Sequence, residues 1–476
     1  YGVTLCTPSN WNYAEFADAG NDDVEQHRDI TAGSTALSYG AGGGEPGYIA
    51  PDPLDPDIFY SGTNNGRYID KYNRRIGTSR EVNPYPWFYS GEPSQDIRER
   101  WQWTFPIIFS PVDPTHLYVS SQRLWRTTDG GANWTALSDD LTRADPITQG
   151  HSGGPITGDM NGPEVYGTIF SVGPSKTDID VIWVGSDDGL VHVTKNGGAT
   201  WTNITPAAMP DFGRVSQIDA SSFDSGAAYI SVRRPLLNDL APYIFKTNDF
   251  GETWTKIVTG IRKDAYVHTI REDPTRPGLL YAGTQHGIYV SFDDGAQWQG
   301  LNNGLPDVPI SDLIVEDNEL VIATHGRSFW ILDNITPLRQ LTPDLSEVDI
   351  RLFAPPPGIR SGRGVTLSWF FKEKPTFARV EIIDDHDQVV RTFVADTTTT
   401  DSTATPGPEA RYQRGPAVSL KAGIHQLTWD LRGDGFKVFP GMILWGVRNV
   451  APALPPGNYT ARLTADDQIE TAPIRI

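Results

Sequence analysis

The chain has 476 residues, with Lys+Arg 39 against Asp+Glu 59, a formal net charge of -20 and a pI near 4.8. A field of that sign excludes the basic footprint that nucleic acid or anionic lipid requires, and no apolar run of about 18 residues offers a transmembrane helix. A single cysteine, Cys6, excludes a disulfide framework and a cysteine-rich metal site, while Gly 47, Pro 37 and Trp 14 point to turn-rich all-β structure.

In chain order, residues 1–5 read as a lone strand, and an Asn/Asp/Gly-rich stretch follows from Cys6 to Gly44. The chain starts at Tyr1 rather than Met, so it reads as processed or as a fragment, with no signal peptide visible. A first repeat unit begins at Gly47 and carries a decayed turn at Asn73-Arg-Arg-Ile-Gly77. Four later units carry one shared pattern, Ser/Thr-x-Asp-x-Gly-x-x-Trp. Its copies are Thr127-Thr-Asp-Gly-Gly-Ala-Asn-Trp134, Thr194-Lys-Asn-Gly-Gly-Ala-Thr-Trp201, Thr247-Asn-Asp-Phe-Gly-Glu-Thr-Trp254 and Ser291-Phe-Asp-Asp-Gly-Ala-Gln-Trp298. Each box lies between short apolar runs and is expected in a hairpin turn. Its Asp or Asn would accept from N–H groups two residues on, its Gly would take a positive φ, and its Trp would cover the turn.

Units start near residues 47, 103, 166, 214, 267 and 310. Repeats of roughly 40–50 residues with four strands each are the signature of β-propeller blades. The expected domains are a propeller of about six blades over 1–340, a linker over 341–357 ending in Ala354-Pro-Pro-Pro357, and an immunoglobulin-like β-sandwich over 358–476. The ring is either closed by residues 1–5 or needs blades absent from the chain. Asp385-His-Asp387 is read as a hairpin turn, and Thr397 to Gly407 as a mobile loop.

Blade geometry puts the boxes and the Asp-Pro turns on one face, and the turns between second and third strands on the other. The long links at Cys6–Gly44, Thr78–Arg100 and Ser138–Glu164 open on that second face. Ligands of propellers gather at such loops and at the channel mouth. The candidate ligand-binding residues there are Arg67, Trp101, Trp103, Arg214, Arg233, His268, His286, His325 and Arg327. Candidate catalytic carboxylates are Glu45, Asp187, Asp188 and Asp239, since glycoside hydrolysis needs a carboxylate pair about 5–9.5 Å apart. Asp129, Trp134, Asn196, Trp201, Asp249, Trp254, Asp293 and Trp298 are assigned to structure. No histidine pair stands at metal-site spacing, so no metal or other cofactor is expected.

The box resembles the Asp-box, or bacterial neuraminidase repeat, of sialidase-like and sortilin-like propellers. Gly185-Ser-Asp-Asp-Gly-Leu-Val-His192 and Ala323-Thr-His-Gly-Arg-Ser-Phe-Trp-Ile-Leu-Asp333 resemble a bacterial family of exported proteins labelled "glycosyl hydrolase". The resemblance covers roughly residues 40–340. It implies an extracellular or periplasmic location and further blades at the N-terminus. The Arg-Ile-Pro motif and arginine triad of sialidases have no counterpart here. The reading that follows is a module binding a peptide, glycan or protein partner on the loop face. The alternatives are a glycoside hydrolase using a carboxylate pair on that face, or a structural subunit joined to other subunits or missing blades.

Overall fold

The computed structural model describes residues 3–6, 12–16, 47–63, 68–86, 91–154, 156, 158, 165–302, 304–342, 345, 347–359, 364–395, 417–443, 445 and 449–476. They fall into two compact units, the first reaching Glu316 and adding Leu320–Ile331, the second formed by Asp317–Glu319 and Leu332–Ile476.

The first unit is a β-propeller. Strands β1 (Val3–Cys6) and β2 (Asn12–Phe16) precede a blade of β3 (Ile49–Pro51), β4 (Ile58–Thr63), β5 (Tyr68–Asn73) and β6 (Thr78–Glu81). The second blade is β7 (Ile107–Phe109), β8 (Leu117–Ser120), β9 (Leu124–Thr127) and β10 (Thr135–Ala136). The third is β11 (Ile169–Pro174), β12 (Ile182–Ser186), β13 (Val191–Thr194) and β14 (Thr202–Asn203). The fourth is β15 (Arg214–Ala220), β16 (Ala228–Arg234), β17 (Asp239–Thr247) and β18 (Thr255–Lys256), and the fifth is β19 (Val267–Glu272), β20 (Leu280–Thr284), β21 (Gly287–Ser291) and β22 (Gln299–Gly300). The sixth sheet holds β23 (Ile310–Glu316), β24 (Glu319–Thr324) and β25 (Phe329–Leu332). It is extended by β2, which pairs Tyr13 with Trp330, and then by β1.

The boxes occupy the turns between third and fourth strands, and their hydrogen bonds differ from the expectation. The Asp or Asn side chain accepts from the N–H four residues on, not two: Asn133 to Asp129 at 2.9 Å, Thr200 to Asn196 at 2.9 Å, Thr253 to Asp249 at 2.9 Å and Gln297 to Asp293 at 2.9 Å. The leading hydroxyl closes the inner turn by taking the glycine N–H, as Thr127 does from Gly131 at 3.0 Å. Each box then reaches the preceding blade. The indole N–H donates to the carbonyl just past that blade's outer strand: Trp134 to Val82, Trp201 to Leu137, Trp254 to Ile204 and Trp298 to Ile257. The same four residues press on the box glycines. A Cβ on Gly131 would lie 2.6 Å from that of Val82, so this position needs glycine for space as well as for its φ of 86°.

Three inner strands carry a β-bulge at one equivalent place, between Ile169 and Ser171, Val215 and Gln217, and Val267 and Thr269. The skipped residues are Phe170, Ser216 and His268. All three face one central cavity that Ile49, Thr104 and Asp312 also line. Contributions from five of the six sheets, and from Thr104 just before the remaining one, make this cavity the propeller channel. A bulge re-aims one side chain at the cost of a ladder bond, and here it points three side chains inward.

The second unit begins with the short helix α1 (Thr336–Gln340). One sheet orders β26 (Ile350–Phe353), β27 (Val365–Phe371) and β30 (Gly423–Trp429). The other orders β29 (Val389–Val394), β28 (Ala378–Ile383), β31 (Asn458–Ala465) and β32 (Gln468–Arg475). Leu367, Trp369 and Trp429 of the first pack with Val380, Ile382 and Leu463 of the second in one buried cluster, which makes a β-sandwich. Ile350–Phe353, read from sequence as linker, is a strand because it pairs with β27 and buries Leu352 and Phe353. The stretches 17–44 and 397–407 lie outside the described residues.

Hydrogen bonds to their carboxylates hold Asp129 and Asp249 down at about 2, each led by the side chain four residues on, Asn133 or Thr253. A depressed folded pKa contributes stability that is present above the unfolded value of 3.8 and is lost as pH falls through about 2. Replacing both by Asn, which stands naturally at position 196, should flatten the unfolding temperature between pH 3.8 and about 2. Acid scans of the double variant and the parent measure this. Separately, Trp254→Phe removes the indole bond to Ile204 and is expected to cost about 1 kcal/mol in a denaturant titration.

Candidate functional site

Two cavities open on the loop face of the propeller and share one residue, Arg233. The first, about 900 Å³, is walled by the link after the second blade (Asp145, Ile147, Thr148), by Asp187 at the β12–β13 turn, by Phe212 and Arg214 entering β15, and by Arg233 to Leu237 around the β16–β17 turn. The second, about 960 Å³, is the channel, lined by Tyr48, Phe170, Tyr266, His268, Gln285, Asp312 and His325 among others.

Asp187 and Asp188 are adjacent in sequence and do different things. Asp187 Oδ1 accepts the N–H groups of Gly167 at 3.0 Å and Thr168 at 2.8 Å, while Oδ2 meets the Thr168 hydroxyl at 2.9 Å. Burial pushes this carboxyl up to about 6 against the Thr168 N–H bond, and the negative Asp188 beside it adds to the rise. Two N–H donors saturate Oδ1, so a proton on Asp187 sits on Oδ2. Asp188 faces away from the cavity. It accepts from Ser186 Oγ at 2.6 Å and from the N–H groups of Arg143 at 2.9 Å and Ala144 at 3.3 Å. Those contacts fasten the link that carries Asp145.

The link is braced a second time by the Arg143 side chain, which bonds the Asp188 carbonyl and Asp211 and lies over the Phe212 ring. Asp145 caps the next turn by accepting from Ile147 N–H at 3.0 Å, with Pro146 at the first turn position. Ala144, Phe212 and Asn238, around the same cavity, hold φ of 46°, 57° and 59°, a left-handed conformation costly for residues other than glycine.

In the channel, His268 Nδ1 lies 2.6 Å from the Arg233 guanidinium and Nε2 3.3 Å from Gln285 Oε1. Burial, with the Arg233 charge, pulls His268 down to about 4, so it is neutral near pH 7. The neutral ring accepts from Arg233 at Nδ1 and donates from Nε2 to Gln285.

Of the residues singled out from sequence, Asp187, Arg214 and Arg233 line the first cavity, and Arg233, His268 and His325 line the second. Others stand elsewhere. Trp101 is buried edge-on against Phe105, because its indole fills the core of the first two blades, and Trp103 is half-buried off both cavity walls. Asp239 is taken up by Tyr243 at 2.9 Å and Arg234 at 3.4 Å. His286 pairs with Asp307 at 3.0 Å, and Arg327 sits exposed in the β24–β25 turn. Glu45 and Arg67 lie outside the described residues. Wall residues missed from sequence include Asp145, Ile147, Tyr166, Phe212, Leu236 and Leu237. Of these, Asp145-Pro146 alone carries a local signal, that of a capped turn. Among the described residues, Asp384, Asp385 and His386 bring donor atoms within 4.8 Å of one another, but Asp384 is spent capping the N–H groups of His386 and Gln388 in an exposed hairpin.

No family model matches the chain. A xyloglucanase of a Paenibacillus species is 27% identical over 286 residues, covering 52% of this chain and 26% of its own length. A probable oligoxyloglucan-reducing end-specific xyloglucanase of Neosartorya fischeri is 24% identical over 321 residues, covering 60% of this chain and 37% of its own. The chain therefore spans well under half the length of these curated relatives. Among solved structures, a GH74 xyloglucanase from Xanthomonas campestris superposes with a TM-score of 0.42 at 16% identity, covering 89% of this chain and 66% of that one. The two curated relatives overturn the expectation of a binding module, since both are named as glycoside-cleaving enzymes.

Asp188→Ala would leave the buried N–H groups of Arg143 and Ala144 without their acceptor. It is expected to cost about 1–3 kcal/mol and to expose the segment between Asp139 and Ser152 to proteases. Thermal unfolding and mapped limited proteolysis test it; an unchanged cleavage pattern would remove Asp188 as the fastener.

Proposed function

We propose that this propeller belongs to a glycoside hydrolase and that its first cavity cleaves a branched polysaccharide, with xyloglucan as the substrate to try first. The observation that carries the reading is Asp187, a carboxyl raised to about 6 on the wall of a cavity that also holds a second carboxylate, Asp145. Hydrolysis of a glycosidic bond asks for such a division of labour, one carboxyl able to give a proton and another to act as base or nucleophile. Asp187 Oδ2–H is the proton donor to the leaving oxygen, and the Thr168 hydroxyl, donating to Oδ2, holds that carboxyl oxygen in place. Asp145, half-buried on the link that Asp188 fastens and lining the same cavity, is the partner carboxylate. The xyloglucanase relatives support the substrate class. A polymeric glycan does not cross membranes, so the reading carries an extracellular or periplasmic location. Among the described residues no helix is long and apolar enough to span a membrane.

The pH dependence follows from the sign of the shift. A general acid works protonated, so turnover should fall as pH rises through about 6. Reducing-sugar release from xyloglucan, measured across pH, should show that limb in the parent. Asp187→Asn and Asp145→Asn should each lose roughly 10²–10⁴-fold in kcat, with unfolding temperatures checked alongside. Full activity in both folded variants would sink the assignment.

A further inference from the structure

Arg214 and Arg233 face each other directly across the β15–β16 ladder. Like charges so placed repel, yet among the described residues neither guanidinium has a carboxylate within 4.0 Å. The neighbouring Arg234, by contrast, has Asp239. Both unpaired groups are held in place by neutral partners. Arg214 lies over the Phe170 ring with its charge centre 4.7 Å from the centroid, and Arg233 donates to His268, itself anchored on Gln285. Stacking and a neutral imidazole orient the two forks without discharging them. Burial and the Arg214 charge pull Arg233 down to about 10, which leaves it cationic near pH 7.

Asp187 is near enough for the Arg214 charge to favour its ionised form, but it stands outside ion-pair distance, so two oriented guanidinium groups still call for an anion at this place. The rest of the cavity says what kind. Ile147, Leu236 and Leu237 stand 91%, 86% and 53% exposed on its walls, so the ligand has an apolar face as well as an anionic edge. A uronic acid unit has that form, a ring with C–H faces and a carboxylate at one edge.

We infer that the Arg214–Arg233 pair is a subsite for the carboxylate of a uronic acid unit in the glycan, with Ile147, Leu236 and Leu237 against the sugar faces. This rests on the hydrolase reading for the glycan and on the paired arginines for the acid. It predicts that a glycan carrying acidic sugars near the cleaved bond binds more tightly than neutral xyloglucan does.

The test is calorimetric titration of the folded chain with glucuronic- and galacturonic-acid oligosaccharides and with the same oligosaccharides after reduction of each carboxyl to a primary alcohol. The acid forms should bind roughly tenfold tighter or better than the reduced forms. Arg233→Gln and Arg214→Gln should each abolish that preference while leaving the weak binding of the reduced forms. Arg233→Lys, which keeps charge without the fork, should restore part of it. Because each Gln variant relieves the like-charge pair, its unfolding temperature should equal or exceed the parent's. Equal binding of acid and reduced forms overturns the inference. So does an arginine-dependent response to a peptide carboxyl terminus without one to the acid sugars. So too does a drop in unfolding temperature with the acid preference intact. Turnover is read separately: cleavage of no glycan, with arginine-dependent binding of the acid forms, would end the hydrolase reading and leave the carboxylate subsite standing.

Discussion

Every boxed blade depends on one hydrogen bond, the indole N–H of the box tryptophan to the carbonyl that follows the outer strand of the blade before it. The accepting residue is apolar each time (Val82, Leu137, Ile204, Ile257), and its own N–H bonds back to its third strand at Ile69, Leu124, Val191 and Ile244. One residue thus ends a blade, supports the next blade's glycine, and accepts its tryptophan. The seam is polar at one atom pair and apolar around it, so it sets register as well as burying area. A blade that slid by one residue would strand an indole and a carbonyl together.

That seam lies on one face, and it frees the other. With adhesion handled by the boxes, the loop face carries unusual chemistry: adjacent carboxylates at Asp187 and Asp188 in the β12–β13 turn, adjacent arginines at Arg233 and Arg234 ending β16, and left-handed residues at Ala144 and Phe212 on the links between blades and at Asn238 before β17. Asp188 and Arg234 have been given partners, and Asp187 and Arg233 face the cavity. Each dipeptide therefore combines one side chain spent on fastening with one on a cavity wall.

The propeller was legible because its signals are local and repeat. A box needs a hydroxyl, an Asp or Asn, a glycine and a tryptophan at fixed offsets, and the alternation of strands around it supplies the rest. Long-range facts were less legible. That Asn12–Phe16 joins the last sheet follows from pairing across more than 300 residues, which no local pattern records. Trp101 shows the limit for sites: an aromatic beside a channel strand reads the same whether it lines the cavity or fills the core. Asp187 and Arg233 stand on a cavity wall, as turn position and residue type suggest. Asp145 was missed because a helix-capping Asp-Pro looks structural until its other side is seen to line a cavity. The binding reading rested on the missing sialidase motifs, a test that says nothing of other glycosidases, and relatives named as xyloglucanases speak against it.

The three bulges on the inner strands have a bearing on how such a protein changes over time. Phe170, Ser216 and His268 are skipped by the pairing between the first and second strands. A residue outside the ladder can be exchanged without altering the register on either side. Those three positions of the channel lining are therefore uncoupled from the register of the strands that carry them. Descendants of one scaffold can then diverge in what they accept while the seams between their blades stay as they are.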